Sequence, residues 1–478
     1  MTARRVRWSR SLGPRWSRGL PLSGLNVRRS CVEWSRSLGP RWSRGLPLSG
    51  LNVRRSALRR YALVSFLTWL PLGLMMPSMV LLMTGRGLSL AQIGLVVTAF
   101  SIVTVSLELP TGGLADVVGR RVVLAASAAF LTAALALMSV STTFWMFLLS
   151  GVLKGVARAL SSGPAASWYV DTLHRVEGHD ADLKPGLARG GAMESVALCV
   201  GVLAGGGLPL LVPPELMFPL AAPSLVGAVA AAVLLVVVLL ALPEPPHAHR
   251  SLASVLREVP ATVTAGVRLA AGGPMLRRLL IASASSGVML MSIELLTPGR
   301  LAELAGTAEQ GSMAYAAVAA LGFAGSAAGS TLAPRVARLV GGSARGAIAG
   351  SVLTALSVGT LAATAGLGGA AGLLTAGGAY VSLFVGGGVT GLLCLEMTHN
   401  AVTAAERTTV SSTASLSLQS GGIMANLTLG ALATQAGVAA AWAVAAAVML
   451  ASALLFVRMP AARGSSRVAA PPARSGSG

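Results

Sequence analysis

From about residue 61 to residue 457 the chain is a succession of apolar runs, each near the ~20 residues a helix needs to cross ~30 Å of hydrocarbon. Inside a bilayer every backbone N–H and C=O must be bonded within the protein, so runs of this length fold as membrane helices. Turn residues, prolines and charges divide them into twelve expected spans. The first six are 61–83, 91–115, 121–140, 144–170, 188–212 and 218–242. The second six are 277–298, 313–333, 346–366, 371–397, 408–434 and 437–457. With 54% hydrophobic and only 11% charged residues, a soluble globular domain is excluded. Glycine and alanine are abundant in the runs, which suits helices packed closely through small side chains.

Basic residues then set the topology, because short cytoplasmic loops carry the Lys and Arg excess. Arg120, Arg121, Arg175, Lys184, Arg189, Arg277, Arg278, Arg335, Arg338, Arg345, Arg407 and Arg458 all fall in alternate connectors on one side, and only Arg86 and Arg300 fall on the other. The expected arrangement is a multi-pass protein of the plasma (inner) membrane with both termini cytoplasmic. Residues 61–242 and 277–458 form two six-helix bundles, 243–276 is a cytoplasmic connector, and 459–478 is a disordered cytoplasmic tail. The net charge of +21 follows this placement and does not call for nucleic acid as a partner. Cys31, Cys199 and Cys394 are too far apart in sequence to suggest a disulfide framework or a metal site.

The first sixty residues stand apart. They hold 15 of the 37 basic residues and a single acid, Glu33, and "WSRSLGPRWSRGLPLSGLNVRRS" at 8–30 recurs unchanged at 34–56. An arm for anionic lipid headgroups or an organellar transit peptide is one reading; duplicated DNA read through from a misplaced start is the other, since structural repeats diverge around a packing pattern. Either way the segment is expected to be disordered or outside the fold.

Between the second and third spans, "GGLADVVGRR" at 112–121 places an acid and paired arginines among glycines. Glycine permits a tight turn, and arginine anchors at headgroup level. The stretch resembles the signature loop of the major facilitator superfamily, which assigns a gating role to Gly112, Asp116, Gly119, Arg120 and Arg121. Val117 stands where that family often has a basic residue. In the family, an Asp-centred charge network holds this loop against the eleventh helix. A degenerate copy, "STLAPRVAR" at 330–338, follows the eighth span with Pro334 in the place of the acid, which suits two related halves. "GVARALSSGPAASWYVD" (155–171) and "AAERTTVSSTASLSLQSGG" (404–422) are similar to bacterial members grouped with drug exporters. "GVLAGGGLP" (201–209) partly matches the family's antiporter motif, with Gly206 at the position of an expected proline. The resemblance implies an all-α polytopic membrane protein of twelve transmembrane helices in two pseudo-symmetric bundles.

Ionisable groups deep in apolar spans are site candidates, because each is costly unless paired or hydrated. Glu108, Lys154, Arg158 and Glu194 form the expected coupling set, either titrating during transport or making a permanent buried ion pair. Glu294 and Glu396 lie nearer the interfaces, where solvated structural roles are open to them. The first and seventh spans supply an expected pathway lining of Trp69, Met75, Met76, Met79, Ser286, Met289 and Glu294, methionine suiting a pocket that adapts to varied apolar shapes. Ser283, Ser285 and Met291 share the seventh span, and Ser415, Ser417, Gln419 and Asn426 in the eleventh add hydrogen-bonding capacity. "HAH" at 247–249 reads as part of a solvated loop. No phosphate-binding loop, zincin motif or placed nucleophile is visible, so no enzyme activity, cofactor or metal is expected. The expected partners are a small-molecule substrate, protons and the lipid bilayer, with the chain a monomer. The expected activity is proton-coupled efflux of a small amphipathic molecule by alternating access. An importer, a uniporter or a ligand sensor that moves nothing remains open.

Overall fold

The computed structural model describes residues 46–178, 181–243, 264, 268, 273–402 and 406–459. Residues 1–45 of the arm expected over 1–60, most of the 243–276 connector with its "HAH", and residues 460–478 lie outside these residues, while 46–60, expected to be disordered or outside the fold, are helical. The chain divides into two units, Met1–Arg54 and Arg55–Gly478; of the first only the opening turns of one helix are described.

Among the described residues there are thirteen α-helices: α1 Leu46–Gly85, α2 Leu90–Val118, α3 Arg120–Val140, α4 Phe144–Ser161, α5 Pro164–Glu177, α6 Lys184–Leu211, α7 Ala222–Ala241, α8 Pro274–Ala305, α9 Ala308–Val340, α10 Ser343–Ala363, α11 Gly369–Asn400, α12 Arg407–Ala436 and α13 Val438–Ala453. Their ends have identifiable causes. Ser89 and Gln92 form a reciprocal capping box before α2, the Thr307 hydroxyl accepts from the Gln310 amide before α9, and Gly341 closes α9 in the left-handed region at φ 81°.

Eleven helical segments among the described residues are long and apolar enough to cross a membrane, α4 and α5 together counting as one. The remaining span is α12, which is long enough but rich in serine and threonine. Its hydroxyls donate back to carbonyls one turn earlier, Ser417 to Thr413 at 2.9 Å and Ser420 to Leu416 at 2.8 Å. A helix of this composition therefore tolerates an apolar setting.

Two expectations need correction. The fourth span is not one helix: α4 ends at Ser161 and α5 begins at Pro164, with Gly163 between them at φ 97°. Proline disfavours helical geometry in the residue before it, and glycine accepts the resulting conformation. Nor does the loop expected at 112–121 begin at Gly112. The helix runs on to Val118, and Gly119 alone, at φ 102°, makes the connection to α3.

Packing repeats between the halves. In the first, α3 lies against α4 and α7 while α2 lies against α4; in the second, α10 lies against α11 and α13 while α8 and α9 flank α11. The halves meet along two seams, α2 on α12 and α6 on α9, which correspond when each helix is matched by order to its counterpart in the other half. Both seams lie at the end away from the arginine-rich connectors. There the Ala91 amide donates to the Thr434 hydroxyl at 3.2 Å, and a Cβ at Gly94 would fall 2.1 Å from the Asn426 carbonyl oxygen. The hydrophobic core is correspondingly forked. One cluster, running from Met79–Met83 through Met289, Ile293 and Leu296 to Trp442, joins both halves at the seam end. At the arginine-rich end the clusters are separate: Tyr61, Trp168, Tyr169 and Val238 in the first half, and Leu279, Ala333, Leu393 and Phe456 in the second.

Candidate functional site

The fork encloses a cavity of about 300 Å³ lined from both halves. Its first-half wall is set by how α4 meets α2. Gly151 and Gly155 let the helices approach until a Cβ at either would lie 3.0 Å or 2.8 Å from a backbone oxygen of α2. The Thr111 hydroxyl then donates to the Ala159 carbonyl at 2.9 Å. With that face of α4 committed to α2, Lys154 and Arg158, one turn apart, line the cavity together.

The two cations have different surroundings. The Arg158 guanidinium stacks over the Trp69 ring, 4.7 Å from its centroid, and interacts electrostatically with Glu108 on α2 and Glu194 on α6. Glu108 in turn accepts a hydrogen bond from the Ser162 hydroxyl at 3.1 Å, at the break between α4 and α5. Lys154 is only 6% exposed. Its ammonium lies 3.4 Å from the Met79 sulfur, 3.8 Å from the Met75 sulfur and 5.9 Å from the centre of the Phe100 ring. Glu294, from the other half, lines the same cavity and acts on Lys154 across it. Five of the six intramembrane groups singled out in the sequence thus fall into a first-half triad of Arg158, Glu108 and Glu194 and a pair, Lys154 with Glu294, that spans the two halves. Glu396 stays outside both, exposed and accepting from the Ser343 hydroxyl at 2.9 Å.

Of the expected lining, Trp69, Met75, Met76, Met79 and Glu294 are in place, and Ser286 and Met289 are not. Met289 is buried at 4% exposure, its methyl group near Gly387 of α11, and the Ser286 hydroxyl is turned back on its own helix at 3.1 Å from the Ala282 oxygen. Met291, two residues further along α8, lines the cavity instead. Phe100 and Leu198 are lining residues that sequence reasoning missed; Phe100 carried a signal, being the aromatic ring in an otherwise aliphatic stretch of α2.

The signature stretch is fastened at the arginine-rich end. Arg120 forms a salt bridge with Asp171 of α5, and Arg121 donates to the Leu239 carbonyl near the end of α7. Short α5 is further held by stacking of Tyr169 on Tyr61 of α1, centroids 4.9 Å apart, and by Trp168, whose indole N–H donates to the Pro243 carbonyl at 3.0 Å. The backbone of Gly112 and Asp116 is helical, and the Asp116 side chain lies outside the described residues.

Residues 61–425 match the family model of the Major Facilitator Superfamily. The chain belongs to the major facilitator superfamily. No curated protein matches it in sequence. Similar solved structures include nucleoside transporter NupG, with a TM-score of 0.66 at 15% identity, covering 84% of this chain and 98% of that one. A bacterial homologue of the human lysosomal transporter Spinster, in an inward-facing and unoccupied conformation, gives 0.63 at 16% identity over 85% and 95% of the two chains. A D-xylose–proton symporter gives 0.64 at 11% identity over 86% and 98%. This major facilitator protein is a multi-pass membrane transporter and not an enzyme.

Proposed function

We propose that this chain is a proton-coupled secondary transporter that exports a small amphipathic molecule by alternating access, as a monomer in the plasma membrane with both termini in the cytoplasm. The carrying observation is the forked core: the cavity lies between two halves that share a seam at one end and have separate hydrophobic cores at the other. Positive charge concentrates in cytoplasmic loops, so the forked, arginine-rich end is taken as cytoplasmic. A bundle pair closed at one end and parted at the other presents its midplane site to one side at a time.

Coupling is assigned to the carboxylates that face the buried cations. A proton on Glu294 removes its attraction for Lys154 across the two halves, and a proton on Glu108 or Glu194 does the same for Arg158 within the first half. In either case the charge state of the cavity changes the relative free energy of the open and closed arrangements. Gly112, Asp116, Gly119, Arg120 and Arg121 are assigned to the gate. In this reading they tie α2, α3, α5 and α7 into one body that moves as the cytoplasmic end opens. Export, as opposed to uptake, is supported by the similarity of 155–171 and 404–422 to exporters.

The test is flux in proteoliposomes holding the full chain, with a pH-sensitive dye inside, an imposed proton gradient, and a panel of naphthalene-1-carboxylate, its carboxamide and 1-naphthylmethylamine. Movement opposite to the proton supports the proposal, and Glu294→Gln, Glu108→Gln or Glu194→Gln should remove gradient dependence while binding persists. Movement with the proton would identify an importer, and movement indifferent to the gradient a uniporter. A panel that binds but never moves would mark a sensor.

A further inference from the structure

We propose that the cavity is selective for a small apolar molecule carrying a carboxylate, and that Lys154 is the residue that receives it. This deepens the transport reading above and rests on it for its biological meaning.

Lys154 is the starting point. Its ammonium offers three donors, yet the acceptors within hydrogen-bonding reach are the thioethers of Met75 and Met79, and sulfur is a weak acceptor. Among the described residues no carboxylate makes a salt bridge with it. Lys154, 6% exposed, feels the charge of Glu294 across the cavity but has only thioethers within hydrogen-bonding reach, and burial of charge is tolerated when both an opposite charge and full hydrogen bonding are supplied. A molecule in the cavity can supply a stronger acceptor than the thioethers.

A lipophilic cation is the natural rival, since Glu294 lines the same space. Two observations weigh against it. Both large aromatic faces that would attract a cation already carry one from the protein: Arg158 over Trp69 and Lys154 by Phe100. Glu294 is also already opposed by Lys154, whereas the second cation, Arg158, has two carboxylates of its own in Glu108 and Glu194. An entering carboxylate gains the unmet donors of Lys154, and its apolar body meets thioethers that adapt to its shape.

Equilibrium binding to the purified full chain in nanodiscs, with no gradient, decides the matter. The probes are the three naphthalene compounds named above, alike in shape and differing in charge. Naphthalene-1-carboxylate should bind about tenfold or more tighter than the carboxamide, the scale of one charge-assisted hydrogen bond, with the amine weakest. Lys154→Met should erase that advantage, and Lys154→Arg should retain it. The proposal is overturned if the amine binds best, if carboxylate and carboxamide bind alike, or if Lys154→Met binds the carboxylate as wild type does. Should Lys154→Met fail to fold, the wild-type charge series and Lys154→Arg still decide. Binding of the carboxylate without movement would sink the transport reading and leave this one standing; movement with preference for the amine would do the reverse.

Discussion

Adjacent glycines on α6 face different partners, and that difference makes a sharp prediction. A Cβ at Gly206 would lie 2.2 Å from the Cβ of Ala316 on α9, in the other half, while a Cβ at Gly205 would lie 1.9 Å from the Leu74 oxygen of α1, in the same half. Ordinary contact begins near 3.4 Å, so Gly206→Ala requires the α6–α9 seam to part by at least 1.2 Å (3.4 − 2.2). Overpacking of this kind costs about 1–3 kcal/mol. Only the arrangement with this seam closed bears that cost, which shifts the balance between the two arrangements by about 5- to 150-fold. Gly205→Ala strains both arrangements equally and should lower thermal stability without a shift. Spin labels at Val176→Cys on α5 and Leu339→Cys on α9, both exposed at the arginine-rich end, with the native cysteines replaced, report the outcome as a distance distribution. Gly206→Ala should move population to shorter separations. An unchanged distribution in Gly206→Ala, or the same shift in Gly205→Ala, would refute the assignment of α6–α9 as a seam that opens.

Two further outcomes follow from local geometry. Gly163→Ala meets no atom within 4 Å of the new Cβ, so its whole cost is the backbone strain of φ 97°, about 1–3 kcal/mol; a melting temperature equal to wild type would contradict the break between α4 and α5. Asn426 is 1% exposed and its amide nitrogen has no hydrogen-bond partner among the described residues. Asn426→Leu should therefore stabilise the α2–α12 seam by about 1–3 kcal/mol and slow turnover, and faster flux with a lower melting temperature would speak against it.

The helices were legible because they depend on a local quantity, the length of an apolar run. The degenerate "STLAPRVAR" even exposed the internal repeat. What escaped was phase and partnership. Met289 and Met291 are two residues apart and so project from different sides of α8; sequence places both on the helix but not which faces the cavity. Lys154 and Glu294 are 140 positions apart, and only the meeting of the two halves brings them to one space. The break at "SSGPAA" did carry a signal, glycine followed by proline, hidden because the apolar character of 144–170 continued across it. The reverse happened at 112–119, where glycines suggested a turn; Gly112 and Gly113 lie within the helix, and Gly119 makes the whole connection.

Alternating exposure of the cavity is the central claim, and it is tested most directly at Met291, which lines it. Met291→Cys in a chain without other cysteines is to be labelled with a membrane-impermeant thiol reagent in inside-out and right-side-out vesicles. In the absence of a gradient or substrate the account predicts labelling from the cytoplasmic, arginine-rich face and protection from the other. Labelling from the opposite face alone, or from both faces at equal rates, would contradict it.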